Sequence, residues 1–303
     1  MLTMAPKEEH VSKRACLKSK RSRLLLIVSI FIVLCVAIIP AVVVTTLHKK
    51  NSMGPKSKVF VPLYVYPSPG AWTPLENVIS DHPDVNFTVV INPNSGPGSS
   101  ALPDANYTRE IPKIASYANV RLLGYVHTSY AKRNISLVRK DVEMYAAWPS
   151  ISSNSKLAVR GIFFDETPEE YDASAFNYLK NLTGLVKDLD GFGSDPFVVH
   201  NPGLVPDSRY LSTADSTVVF EETYSVFQER NGATLLAAIS DSNRTQRCAL
   251  IHSVPTSVEG SELRGLVKEV RKVADEVFIT HLSSDYYSNF GSKWAEFVDL
   301  MAA

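Results

Sequence analysis

Cysteine is scarce in this chain of 303 residues, with three in all. Cys16 and Cys35 sit before or within an N-terminal apolar run, which leaves Cys248 alone in the remainder. No disulfide can form within that remainder, so a hydrophobic core must stabilise it. An excess of charge is missing too, because 31 Lys and Arg balance 31 Asp and Glu. Such neutrality argues against a nucleic-acid partner. Catalytic signatures are also absent. No G-x-x-x-x-G-K-S/T loop offers a phosphate cradle, and no G-x-S-x-G elbow presents a serine nucleophile. None of the seven histidines forms an H-x-x-x-H pair, so neither a metal nor another cofactor is expected.

What is present begins with residues 24–47, LLLIVSIFIVLCVAIIPAVVVTTL, a run without charge. At ~1.5 Å per helical residue it is long enough to cross a bilayer core of ~30 Å. Lys13, Arg14, Lys18, Lys20, Arg21 and Arg23 precede it, and the weaker set Lys49, Lys50, Lys56 and Lys58 follows. The positive-inside rule then predicts a cytosolic tail (1–23), a single transmembrane helix (24–47), a linker (48–57) and an exported domain (58–303). The expectation is a type II protein of the cell membrane with residues 58–303 outside. A cleaved signal peptide fits less well, since the run exceeds a usual h-region and no small-x-small site follows. Five N-x-S/T sequons, at Asn86, Asn106, Asn134, Asn181 and Asn243, all lie on the exported side.

Within 58–303, short apolar runs alternate with helical patterns. Strands are predicted at 59–66, 87–92, 120–127, 160–165, 197–201, 217–221, 248–253 and 276–281. Their near-continuous hydrophobicity suits strands buried on both faces. Helices are predicted at 137–148, 174–188, 232–239, 261–274 and 294–302, with weaker signals after the first, second and fifth strands. Eight such units argue for an α/β fold of the (β/α)8 TIM-barrel type. An open doubly wound sheet is the alternative, but no glycine-rich phosphate loop follows the first strand.

Two strands run into acids: GIFFDE (161–166) and TVVFEE (217–222). Carboxylates at the ends of buried strands cost free energy and usually have a reason. Strand ends of this barrel form the active face, and two acids there are what glycosidic cleavage needs. Helix capping or pairing with Arg and Lys is the plainer account. Alternation puts Asp165 on the face of Gly161 and Phe163, and Glu221 on that of Thr217 and Val219. The small residues Gly161 and Thr217 suit a crowded interior, so Asp165 and Glu221 are expected to point inward. Other strand ends carry Tyr64, Tyr66, Asn92, Asn94, His127, His200, Asn201, His252 and His281. These polar groups could bond sugar hydroxyls, while Tyr64, Tyr66, Trp72, Tyr125, Tyr130 and Tyr224 offer aromatic planes to sugar C–H faces. Core packing is the alternative for several, and Tyr125 could face a helix. Trp148 reads as core.

PLYVYPSPGAW (62–72), INPNSGPG (91–98), GYVHTSY (124–130), GIFFDE, HNPG (200–203) and VFEETY (219–224) together resemble the spherulin-4-like family of glycoside hydrolases. The resemblance implies a (β/α)8 barrel acting on a fungal cell-surface exopolysaccharide. It implies endo-cleavage of galactosaminogalactan at α-1,4-linked N-acetylgalactosamine, beside the synthase that makes the polymer. The family's functional acids fall at Asp165, Glu166 and Glu221. Asp165 is favoured as nucleophile or transition-state stabiliser and Glu221 as general acid/base, with Glu166 as an alternative acid. Substrate contacts are expected from Tyr64, Tyr66, Asn92, His127, His200, Asn201, Glu222, Tyr224 and His252. A retaining course is favoured from the resemblance. An inverting course or a nucleophilic acetamido group stays open. Competing functions are a non-catalytic glycan-binding or wall-organising barrel and a metal-dependent polysaccharide deacetylase.

Overall fold

The β-branched, apolar strands predicted from sequence form a closed ring. In the computed structural model, residues 53–230 and 243–303 are described, with Leu235, Ala238 and Ile239 between them. The strands are β1 (Lys58–Leu63), β2 (Phe87–Ile91), β3 (Val120–His127), β4 (Gly161–Asp165), β5 (Phe197–His200), β6 (Ser216–Thr223), β7 (Arg247–His252) and β8 (Glu276–Ile279). All neighbours pair in parallel in sequence order. The ring closes through Lys58↔Glu276 and Val59↔Val277. It is the expected TIM-type barrel.

Helices α1 (Thr73–Asp81), α2 (Ala105–Ile114), α3 (Ile135–Ile151), α4 (Ala173–Asp188), α5 (Tyr224–Arg230), α6 (Ser261–Val273) and α7 (Trp294–Ala302) are described outside the strands. Asp104, Asn134 and Asp172 cap α2, α3 and α4 by accepting from first-turn amides. On α6 the buried residues Leu263, Leu266, Val267 and Val270 recur at helical spacing. Burying each stabilises by roughly 1.5–3 kcal/mol. After β5 the chain forms only a 3-10 helix, Ser208–Thr213. Most of the helix predicted at 232–239 lies outside the described residues.

Inside the barrel, Thr88 donates to the buried Glu276 at 2.6 Å, on the side where strands begin. Phe60 and Phe163 fill the middle with ring centroids 5.7 Å apart. Gly161 has φ 143°, and a Cβ there would lie 1.8 Å from the Phe197 carbonyl oxygen. Glycine is therefore required to bring β4 against β5. The requirement comes from the neighbouring backbone, not from crowding in the interior.

One compact unit spans Met53–Ala303. Met53 is buried, and Arg244 and Arg271 bond the carbonyls of Lys56 and Pro55. The predicted tail (1–23) and membrane run (24–47) lie outside the described residues. Among the described residues no helix is long and apolar enough to cross a membrane.

Candidate active site

The ends of β4, β5 and β6 bring Asp165, Asn201 and Glu221 together. Asp165 faces inward, as expected, and pairs in register with His127 of β3. Glu221 also reaches the mouth, but by a different route from the one alternation suggested. Thr217 is turned outward, beside His200, Leu179 and Tyr210. A bulge between Val218 and Phe220 then shifts the register against β7. The extra residue reverses the facing of everything after it, so Glu221 turns inward.

Every carboxylate oxygen of the two acids is bonded. Tyr125 donates to Asp165 Oδ2 at 2.7 Å, and the Glu166 amide donates to Oδ1 at 2.9 Å. Asn201 Nδ2 donates to Asp165 Oδ1 at 2.8 Å and to Glu221 Oε2 at 2.6 Å. Tyr287 donates to Glu221 Oε1 at 2.6 Å. The Asn201 Oδ1 accepts from the Gly203 amide at 2.9 Å, which fixes the orientation of its amide group. Burial pushes the carboxyls of both Asp165 and Glu221 above the usual range. Donated bonds oppose that rise by favouring the charged form, three at Asp165 and two at Glu221.

Tyr64 stands edge-on between Tyr125 and Tyr287, with centroids 5.6 and 5.5 Å away. His127 lies near Glu166, Nδ1 to Oε2 3.9 Å. His252 stacks flat on Tyr286 at 4.2 Å. Tyr66 is half exposed, and its hydroxyl joins Asp104 and Asn106. Asn92 shapes its own loop by accepting from the Gly96 amide. Glu222 is exposed and bonds the Thr223 amide, while Tyr224 opens α5 against the core.

Two residues expected at the rim, His200 and Trp72, are elsewhere, whereas His281 stays in the loop after β8. His200 is buried on the outer side of β5, with Thr183 and Thr213 beside its ring. Burial pulls its pKa down to about 3, so it is neutral there. Trp72 is core, donating to the Val65 carbonyl. His281 bonds the Val258 carbonyl. Trp148 is buried, as expected. No group of three or more His, Cys, Asp or Glu among the described residues could hold a metal ion.

Residues 58–301 match spherulation-specific family 4. The chain belongs to that family. Spherulin-4 of Physarum polycephalum is 31% identical to this family 4 chain over 230 residues, which is 76% of this chain and 64% of that relative. This chain thus spans less than two thirds of that relative's length. The crystal structure of Aspergillus clavatus Sph3 in complex with GalNAc is 74% identical, with a TM-score of 0.82. That likeness covers 84% of this chain and 100% of the Sph3 chain. An endo-1,4-beta-D-mannanase from Thermotoga petrophila shares the fold alone, at 13% identity and a TM-score of 0.54, over 82% of this chain and 99% of its own.

Two members of this candidate site are not evident from the sequence. Tyr286 and Tyr287 lie in the loop after β8, which carries no acid at a strand end to draw notice. The only available signal was their position after the last strand, where barrel loops converge. Tyr125 was noticed, but its inward direction was not.

Proposed function

We propose that this family 4 chain is an endo-acting glycoside hydrolase that cleaves α-1,4-linked N-acetylgalactosamine in a galactosaminogalactan-type exopolysaccharide. The observation that carries the reading is the single Asn201 nitrogen shared by Asp165 and Glu221 at the barrel mouth. Two carboxyls flanking one point are the machinery of glycosidic cleavage. The likeness to Sph3, solved in complex with GalNAc, supports the choice of sugar.

Asp165, with three donors, carries the negative charge and serves as nucleophile or stabiliser of the oxocarbenium-like transition state. Glu221, with two donors and a buried setting, keeps its proton and delivers it to the leaving oxygen. The bonds to the shared nitrogen measure 2.8 and 2.6 Å, so the two oxygens are at most about 5.4 Å apart. Separations of roughly 5–5.5 Å accompany retention, and roughly 6.5–9.5 Å accompanies inversion. This favours a retaining course. Tyr64, His127, His252 and Tyr286 line the sugar-binding mouth.

The same reading puts the barrel outside the cell, held by residues 24–47 in type II orientation. The sequon residues Asn86, Asn134, Asn181 and Asn243 have exposed side chains, in keeping with glycosylation during export. Sensitivity of the intact chain to N-glycan removal, with the barrel open to protease on whole cells, tests that orientation.

The test of activity is to incubate residues 53–303 with purified galactosaminogalactan, beside the Asp165→Asn variant, and follow products by mass spectrometry. Release of N-acetylgalactosamine oligomers by the unsubstituted protein alone is expected. Binding without release would favour the glycan-binding alternative, and acetate without chain shortening would favour the deacetylase.

A further inference from the structure

We infer that Thr128 is a positioning residue that aims the Glu166 carboxylate into the mouth; this rests on the glycosidase reading above. Successive residues of an extended strand face opposite sides, so with Asp165 inward Glu166 should point toward the helices. It does not. Glu166 has φ 53°, a left-handed conformation uncommon for a residue bearing a Cβ. Its carboxylate comes within 3.9 Å of His127, an inward neighbour of Asp165.

The partners that hold this turn come from the loop after β3. The Thr128 hydroxyl donates to the Glu166 carbonyl at 2.7 Å. The Thr128 amide donates to the Asp165 carbonyl at 2.9 Å, and the Tyr130 amide to the Glu166 carbonyl at 2.6 Å. One residue thus grips the carbonyls of both adjacent acids. Thr128 is fully buried, so its hydroxyl is shielded from competing water. Ser129, Tyr130 and Ala131 have φ of 49, 57 and 62°, a left-handed run that carries the Tyr130 amide to the same carbonyl. The two loops brace one another, and the hydroxyl is the side-chain element of that brace.

Removing the hydroxyl at constant shape isolates its role. With the full chain in mild detergent, Thr128→Val is expected to lower kcat for oligosaccharide release about tenfold while KM stays within about twofold. Thr128→Ser should keep at least about half of the activity, because it keeps the donor. In a Glu166→Gln background, Thr128→Val should cost nothing further. An unchanged kcat in Thr128→Val, or an equal loss in both backgrounds, would overturn the inference. A crystal structure of Thr128→Val gives an independent readout. Glu166 is expected to leave its left-handed conformation and turn from His127; a Glu166 unchanged in place refutes the proposal whatever the activity. Absence of hydrolysis by the unsubstituted chain would instead count against the glycosidase reading, leaving the structural test to judge Thr128.

Discussion

Tyr287 and Glu221 meet at 2.6 Å, phenol to carboxylate, although 66 positions separate them. The bond ties the loop after β8 to the end of β6 and supplies one of the two side-chain donors to that acid among the described residues. Tyr287 also ends a row of three tyrosines, since Tyr64 stands edge-on to both Tyr287 and Tyr125.

Tyr287→Phe keeps the ring and removes the donor. The lost bond favoured the charged carboxylate, so the pKa of Glu221 should rise further. A general acid with a higher pKa stays protonated to higher pH. We expect kcat/KM to fall about tenfold at its optimum and the alkaline limb of its pH profile to move upward. A limb that stays in place would argue against Glu221 as the acid.

Asp165→Asn and Glu221→Gln should each reduce hydrolysis at least about a thousandfold without loss of fold. Both should also stabilise the barrel near neutral pH. The folded-state pKa of each acid is raised by burial, so its contribution is favourable below the unfolded pKa and is lost as pH rises through the folded one. The amides do not titrate. Thermal melts should show variant and parent close together in acid and separating, variant above parent, as pH increases.

His200 runs in the opposite direction. Its folded pKa is about 3 against 6.5 unperturbed, so the folded state resists protonation. Its contribution is complete above pH 6.5 and is lost as pH falls toward 3, by up to about 1.4 kcal/mol per pH unit. Replacing it with Gln should flatten the acid side of the stability curve while leaving kcat near the parent value. A large loss of kcat with an unchanged stability profile would assign His200 a role in the site.

Glu166→Gly should be more stable than Glu166→Ala by about 1 kcal/mol in urea unfolding. Glycine adopts φ 53° without a Cβ penalty, whereas alanine keeps it. Equal stabilities would mean that the left-handed turn relaxes once the carboxylate is removed.

Eight strands, their parallel order and the two acidic strand ends were legible in the sequence by itself. Such features are local: apolar runs of strand length, helical spacing such as Leu263, Leu266, Val267 and Val270, and acids directly after the runs. Facing was another matter. His200 and Asn201 are adjacent, and alternation allows only one inward; contact with α4 and the 3-10 helix settled that it is Asn201. Glu221 faces inward through a bulge that depends on pairing with β7. Glu166 does so through a left-handed turn clamped from the loop after β3, and Tyr287 reaches Glu221 from the loop after β8. The sequence thus determined which acids end the barrel strands, because strand length and polarity are written in neighbouring positions. Which of them converge was decided only by tertiary structure, because a one-residue shift in pairing reverses every side chain beyond it.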